Sequence, residues 1–179
     1  MAGLDHTDVR FSGADATETA LTNSVFRRCE FVNARFNCAQ LTAVEFIECR
    51  FAGCNFFDAT INDCAFQDCV FDRCSFSGLE VTGGNWTGAR LAGADLTTAE
   101  FRGVRMHNVD LSAARGHDGV FTNIDFANAN LASADFRRAD LRGSVLTAFD
   151  PRAVDLHEAI ITADQAVDLA ESLGLSIRT

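Results

Sequence analysis

The sequence predicts an all-β solenoid built from four-sided, 20-residue coils. The first observation is that every fifth residue from Phe11 to Ile161 is large and apolar, with no insertion or deletion in between. Only Ala16, Gly116 and Pro151 break this size rule. The second observation is that a smaller apolar residue, most often Ala, Cys or Val, stands two positions before most of these anchor residues.

A period of five fits neither a helix nor a straight strand. Five residues rotate an α-helix by about 500°, so successive anchors would lie ~140° apart. In a strand, an odd spacing sends successive anchors to opposite faces. All anchors stay inside only if the chain turns a corner every five residues. Four such sides close one coil, and an internal repeat of this kind indicates stacked coils.

Residues that are 20 positions apart tend to be alike, which supports four sides per coil. Phe11, Phe31, Phe51 and Phe71 form one column of anchors, and Leu91 continues it. In the other three columns, most positions also hold Phe, Leu, Ile or another large apolar residue, each stacked on a similar residue. The core of such a ladder favours stacks of similar residues.

Composition limits the class of protein. The chain has 179 residues, of which 47% are hydrophobic, and this predicts one domain with an ample core. The chain contains no run of 18 apolar residues, so the sequence predicts no membrane-spanning helix. The first residues lack the basic segment and apolar stretch of a signal peptide, so we expect a cytoplasmic protein. The net charge of −10 argues against nucleic acid as a direct ligand, because binding phosphates requires cations.

The seven cysteines are best interpreted as core residues. Six occupy the small inward position of the repeat: Cys29, Cys49, Cys54, Cys64, Cys69 and Cys74. Only Cys38 lies outside it. A metal or redox site is the alternative, but the apolar interior offers no His or carboxylate to complete four convergent ligands. We therefore expect buried structural thiols, no metal site and no cofactor.

No constellation predicts catalysis, and we expect no catalytic residue. The chain carries no nucleophile motif, phosphate-binding loop or dinucleotide fingerprint, and a filled solenoid lacks the concave pocket that enzymes use. His117 and Asp118 stand between Gly116 and Gly119, which suggests either a small polar site or a solvated, locally slack coil. We favour the slack coil. Trp86 stands at an anchor position and is expected in the core.

Outward positions carry the charge, and two adjacent sides are acidic. The side anchored by Phe36 and Phe56 has eight acids against four bases, a net of −4, and the side anchored by Leu41 and Phe101 nets −2. The acidity is expected to strengthen toward the C-terminus. The candidate partner-binding residues are Asp15, Asp58, Glu80, Asp95, Glu100, Asp118, Asp135, Asp140, Asp155 and Glu158. These acids either keep the protein soluble or imitate the charge of DNA.

The register ends at Ile161, which divides the chain into a solenoid over 1–161 and a terminal segment over 162–179. Thr162 and Gln165 have the spacing of a helix capping box, and Gly174 fits the end of that helix. A short strand is predicted over Leu175–Ile177. This segment should cap the solenoid and leave apolar side chains for a two-fold partner: Val167, Leu169, Ala170, Leu173, Leu175 and Ile177.

Several units match a known repeat. Ala94–Thr98, Ala129–Ser133 and Ala139–Gly143 have the form A(D/N)LXX, in which X is any residue. This pattern resembles the pentapeptide-repeat family, and the resemblance covers roughly residues 9 to 161. The resemblance implies a right-handed quadrilateral β-helix, in agreement with the geometric reasoning above.

The terminal segment resembles one group within that family. Asp164–Val167 followed by Leu173–Leu175, with Asp150–Pro151 shortly before, is similar to the C-terminus of MfpA-type, Qnr-like fluoroquinolone-resistance proteins. The resemblance implies a homodimer formed through the C-terminus, mimicry of duplex DNA, and binding to DNA gyrase or topoisomerase IV. It implies no direct contact with nucleic acid or membrane. A generic interaction scaffold with another partner is the alternative, and an enzyme ranks third.

Overall fold

Residues 1–147 and 149–178 are described by the computed structural model. All paired strands are parallel and are offset by 20 residues: His6 lies opposite Phe26, and Phe101 lies opposite Phe121. The predicted four-sided, 20-residue coil is therefore confirmed. We number the walls in chain order from the first anchor, so that Phe11, Ala16, Leu21 and Phe26 lie on the first, second, third and fourth walls.

Three walls are β-sheets of three-residue strands. The strands are β1 (Asp5–Thr7), β2 (Arg10–Ser12), β3 (Ala20–Thr22), β4 (Val25–Arg27), β5 (Glu30–Val32), β6 (Gln40–Thr42), β7 (Glu45–Ile47), β8 (Arg50–Ala52), β9 (Thr60–Asn62), β10 (Ala65–Gln67), β11 (Val70–Asp72), β12 (Glu80–Thr82), β13 (Glu100–Arg102) and β14 (Val120–Thr122). The first wall has the order β2-β5-β8-β11, the third β3-β6-β9-β12-β13-β14 and the fourth β1-β4-β7-β10. Single bridges such as Asp15–Arg35 build the second wall.

The corners between walls use left-handed backbone. The second residue after an anchor has positive φ at nearly every corner, as in Asp63 at +50° and Gly83 at +67°. Gly, Asn and Asp adopt this conformation most readily, and they fill most of these positions. Within the described residues, Thr98 and Ala153 are the two corners that depart from it.

The anchors form an aromatic column in the core. Phe31 and Phe51 stack with ring centroids 4.9 Å apart, and Phe51 and Phe71 repeat this spacing. Trp86 is buried and lies 4.5 Å from Phe66, so its predicted place in the core is confirmed. Its Nε1 has no hydrogen-bond partner among the described residues.

The cysteines lie where the repeat predicts. Five of the six inward thiols are buried, Cys74 is half-buried, and Cys38 is exposed. Buried Sγ atoms contact main-chain carbonyls, as Cys49 does with Phe26 O at 3.3 Å. Burial raises the pKa of Cys64 to about 11. These thiols are therefore small core residues, and at Cys64 burial favours the un-ionised form.

The two irregular anchors Gly116 and Pro151 differ in their effect, because only the coil at Pro151 is disturbed. Bridges from Arg115 to Asp95 and to Asp135 continue the second wall past Gly116, so the expected slack coil is absent from these described residues. Near Pro151, the first-wall ladder of bridges ends at Asn130 in the described part of the chain. The adjacent corner shifts by one residue, and Ser133 N–H donates to Ala153 O.

A helix, α1 (Ala163–Ser172), follows the last coil. The predicted capping box is present, because Thr162 and Gln165 bond each other's backbone N–H. Gly174, at φ +83°, donates to Glu171 O and forms the C-terminal cap with the Leu175 N–H bond to Ala170 O. No helix in the described residues is long and apolar enough to span a membrane.

The buried side chain of Gln165 attaches α1 to the solenoid. Its Nε2 donates to Leu141 O and Ser144 O, both at 2.7 Å, and so satisfies carbonyls of the last coils. The strand predicted over Leu175–Ile177 is wrong: residues 175–178 form no strand in the described chain. The Leu175 N–H is already used by the helix cap, and residues 176–178 make no backbone hydrogen bond to the solenoid in the described chain.

Candidate functional site

Most of the predicted partner-binding acids are neutralised by arginine. Two spacings produce the pairs, because a residue 20 positions later lies directly on the next coil and a residue two positions later lies beside it on the same coil. The pairs are Asp15–Arg35, Asp95–Arg115, Glu100–Arg102, Asp118–Arg138, Asp135–Arg137 and Asp140–Arg142. Asp155 lies 3.5 Å from Arg137, and Glu158 lies 3.7 Å from His157.

These pairs stabilise the charged form of the carboxylates. Arg138 donates two hydrogen bonds of 2.7 Å to Asp118 and, with a smaller contribution from His117, lowers the pKa of that carboxyl. At Asp95, burial raises the pKa, but hydrogen bonds from Thr97 and the charge of Arg115 outweigh it and the net shift is downward. The His117–Asp118 pair is therefore part of a surface ion-pair network.

Six exposed carboxylates between positions 45 and 80 have no Arg or His within 4.0 Å in the described residues. We call them the acidic band: Glu45, Glu48, Asp58, Asp63, Asp68 and Glu80. They occupy the third and fourth walls and the three corners that border those walls. Of the predicted partner-binding acids, Asp58 and Glu80 belong to this band, whereas arginines pair with most of those on the second wall. The choice of partner-binding acids stays a prediction.

Glycines on the next coil position three of these carboxylates. Asp63 sits at a left-handed corner, and its Oδ1 occupies the space above Gly83, 2.3 Å from where a Cβ would lie. The arrangement repeats at the two neighbouring corners, with Asp58 over Gly78 and Asp68 over Gly88. A side chain at any of these glycines would displace the carboxylate, so the sequence builds a fixed row of three acids.

The net charge is concentrated in the two coils over 41–80. They contain seven acids and two arginines, a net of −5, which is half of the chain's −10. The four coils over 81–160 contain ten acids and eight arginines, a net of −2. The expectation that acidity strengthens toward the C-terminus is therefore wrong. At ~4.8 Å per coil, 41–80 carries one net charge per ~1.9 Å, close to the ~1.7 Å of duplex DNA.

Sequence reasoning missed four band residues: Glu45, Glu48, Asp63 and Asp68. The signal was present in the 20-residue period. An acid with Arg two or 20 positions later is usually paired in the structure, whereas Glu48, which Arg50 follows, is the one band residue with Arg at either position. In the structure Arg50 pairs with Asp72 instead. Applying this rule together with the predicted coil would have separated most of the paired acids from the free ones.

The predicted dimer surface is partly used within the chain. Val167, Leu173, Leu175 and Ile177 are exposed. Leu169 packs against the solenoid core and Ala170 is half-buried, so both already contribute to the cap. The remaining four side chains form an apolar surface at the C-terminal end of the rod.

Family models support the assignment of the repeats. A model described as "Pentapeptide repeat region" matches residues 19–92 and 39–115, and one described as "Pentapeptide repeats (8 copies)" matches 118–147. The chain belongs to the pentapeptide-repeat family. A search of curated protein sequences found no match.

Two solved structures, both variants of one protein, show the same pentapeptide-repeat fold. A trypsin-treated variant of QnrB1, described as a plasmid-mediated fluoroquinolone resistance protein, has a TM-score of 0.61 at 20% identity, covering 99% of each chain. A second trypsin-treated variant has a TM-score of 0.54 at 20% identity with the same coverage. HetL from the cyanobacterium Nostoc has a TM-score of 0.42 at 16% identity, covering 89% of this chain and 86% of its own.

Proposed function

We propose that this pentapeptide-repeat protein binds a type II topoisomerase, DNA gyrase or topoisomerase IV, as a partial mimic of duplex DNA. Binding would inhibit the enzyme and protect it from fluoroquinolones. The acidic band carries the proposal, because the coils over 41–80 that hold it have a net charge per unit length close to that of DNA. The structural likeness to QnrB1, whose description names fluoroquinolone resistance, supports the choice of partner.

The mechanism is competition for a cationic surface. A DNA-binding groove presents Lys and Arg to phosphates, and the same side chains can pair with exposed carboxylates. The band satisfies this requirement because its acids have no internal arginine partner. The paired acids of 81–160 contribute little to the negative electrostatic potential of the surface. Partner contact therefore centres on the third and fourth walls of coils 41–80.

A homodimer formed through the C-terminal apolar surface would extend the mimic. Two rods of roughly 37 Å, placed end to end, would reach about 75 Å. Val167, Leu173, Leu175 and Ile177 supply the contact, and light scattering tests it. Leu173→Asp should give a monomer, whereas Asp168→Asn, an exposed change on α1, should leave the dimer intact. A dimeric Leu173→Asp protein would contradict this interface.

Gyrase supercoiling and quinolone-induced cleavage assays test the function. The wild-type protein should inhibit supercoiling and reduce cleavage at micromolar concentration. The triple variant Asp58→Asn, Asp63→Asn, Asp68→Asn should lose at least tenfold in potency while keeping its fold, because Asn also tolerates left-handed corners.

The matched control removes three acids outside the band: Glu18→Gln, Asp110→Asn and Asp150→Asn. It should retain wild-type potency. No inhibition and no protection by the wild-type protein would reject the topoisomerase proposal and favour a scaffold for another basic partner. Equal potency of the band variant would reject charge mimicry by the band. A cytoplasmic location stays a prediction.

A further inference from the structure

The second wall is open at one step in the middle of the rod. On this wall, Asn55 N–H donates to Ala34 O, Ser75 N–H donates to Cys54 O, and Arg115 N–H donates to Ala94 O, at 2.9–3.0 Å. The equivalent bond from Asp95 to Cys74 is missing from the described residues, and so is the Ser75–Asp95 bridge. The ladder therefore breaks once between two continuous stretches.

The opening extends along the whole wall and the corners at both of its ends. Arg73 and Phe76 donate no backbone bond to the next coil in the described structure, although the equivalent Gly53 and Phe56 do. Gly78 N–H reaches the Thr98 hydroxyl at 3.1 Å instead of a carbonyl. Two adjoining openings of about 150 and 300 Å³ lie here, and both reach Phe76 and Asp95. We call this the slit.

Thr98 explains the slit. It occupies a corner position, the second residue after an anchor, where the described chain otherwise has positive φ except at Ala153. Between positions 13 and 158, no other corner position holds a β-branched residue. Branching at Cβ makes the left-handed conformation costly, so Thr98 does not adopt it and the strand over Ala94–Thr97 is displaced from the coil below.

The other three walls remain bonded across the same step. Val70 pairs with Arg90, Glu80 with Glu100, and Ala65 with Asn85. On the wall opposite the slit, the Phe66 and Trp86 rings are in contact. A stack that is bonded on three sides and open on the fourth can bend toward or away from the open side.

We propose that the slit is a hinge, at which the N-terminal coils that carry the acidic band rotate relative to the C-terminal coils that carry the cap. The hinge axis runs along the fourth wall, where the Phe66–Trp86 contact persists. Bending changes the angle between the two halves of the rod without breaking the core. The proposal concerns the single chain and holds for any partner.

Amide hydrogen exchange measures the local opening. Amides of Arg73, Phe76 and Asp95 should exchange at least 100-fold faster than those of Gly53, Phe56 and Arg115, which are bonded at the equivalent positions. Thr98→Asn should restore the left-handed corner and slow the first group at least tenfold. The matched control, Thr97→Asn, leaves the corner residue unchanged and should not slow it.

Residual dipolar couplings distinguish a hinge from a rigid slit. In the wild-type full-length protein, residues 5–72 and 99–147 should fit alignment tensors of different magnitude. In Thr98→Asn, a single tensor should fit both halves. A single tensor in the wild-type protein, or fast exchange that persists in Thr98→Asn, would overturn the proposal.

Discussion

The ring of Phe136 fills the space in which a side chain at Gly116 would lie. Its Cε1 atom is 2.7 Å from the position that a Cβ of Gly116 would occupy. The ring also packs edge-on against Phe121, with centroids 5.0 Å apart. The absence of a side chain at Gly116 therefore makes room for a large residue on the next coil.

Gly116→Ala should lower the free energy of unfolding by about 1–3 kcal/mol, because the added methyl overpacks a rigid ring. Urea unfolding measures the change. In a Phe136→Leu background, Gly116→Ala should lower the free energy of unfolding by a smaller amount, since the smaller side chain of Leu leaves room for the added methyl group. Equal costs in both backgrounds would contradict the steric explanation.

Gly83→Ala should destabilise the fold more than Gly93→Ala. Both glycines have nearly the same φ, +67° and +66°, so the backbone strain is matched at about 1 kcal/mol. Only Gly83 has a carboxylate, that of Asp63, in the space of the new Cβ. Thermal unfolding of the two variants measures the difference, and identical melting temperatures would show that Asp63 moves without cost.

Gln165→Ala should destabilise the protein by about 2 kcal/mol, because it leaves two carbonyl groups of the last coils without their donor and removes half of the capping box. Chemical unfolding followed by circular dichroism measures this loss. Asp168→Ala, an exposed change on the same helix, should alter stability by less than about 0.5 kcal/mol. A similar loss in both variants would mean that helix propensity, and not the cap, is responsible.

Alkylation should distinguish the thiols of the native protein. Cys38 should react with iodoacetamide first, and half-buried Cys74 should react next. The buried thiols should react only after unfolding, because the reagent cannot reach them in the native protein. At Cys64, burial also raises the pKa to about 11, which lowers the thiolate fraction. Mass spectrometry of peptides gives the order. Early labelling of Cys64 would contradict the packed interior.

The Asp118–Arg138 pair should make stability fall in acid. The folded pKa of Asp118 lies below its unfolded value, so its contribution is full above about pH 4 and is lost as pH falls through the folded pKa. Asp118→Asn should therefore melt below the wild type at pH 7, and the gap should narrow at pH 2. A constant gap across this range would indicate a cause other than ionisation.

The period of the sequence was enough to predict the coil, the inward cysteines and Trp86 in the core, and the capping-box spacing of Thr162 and Gln165 predicted the helix. Each of these follows from local spacing, which fixes the wall or face on which a residue lies. The strand over Leu175–Ile177 could not be decided in this way, because a strand needs an adjacent edge and the helix cap already uses the Leu175 N–H. Charge counts for each wall could not show which carboxylates stay unpaired, because such counts ignore which arginine pairs with which acid.

The sequence by itself determined that the chain coils in 20-residue steps, since no other conformation keeps an anchor at every fifth residue inside. The tertiary structure decided which carboxylates remain unpaired, because pairing depends on the residue that lies one coil above, as Arg115 lies above Asp95. It also decided where the stack opens. The cost of a left-handed corner at Thr98 is local, but its effect is the loss of hydrogen bonds to a coil 20 residues away.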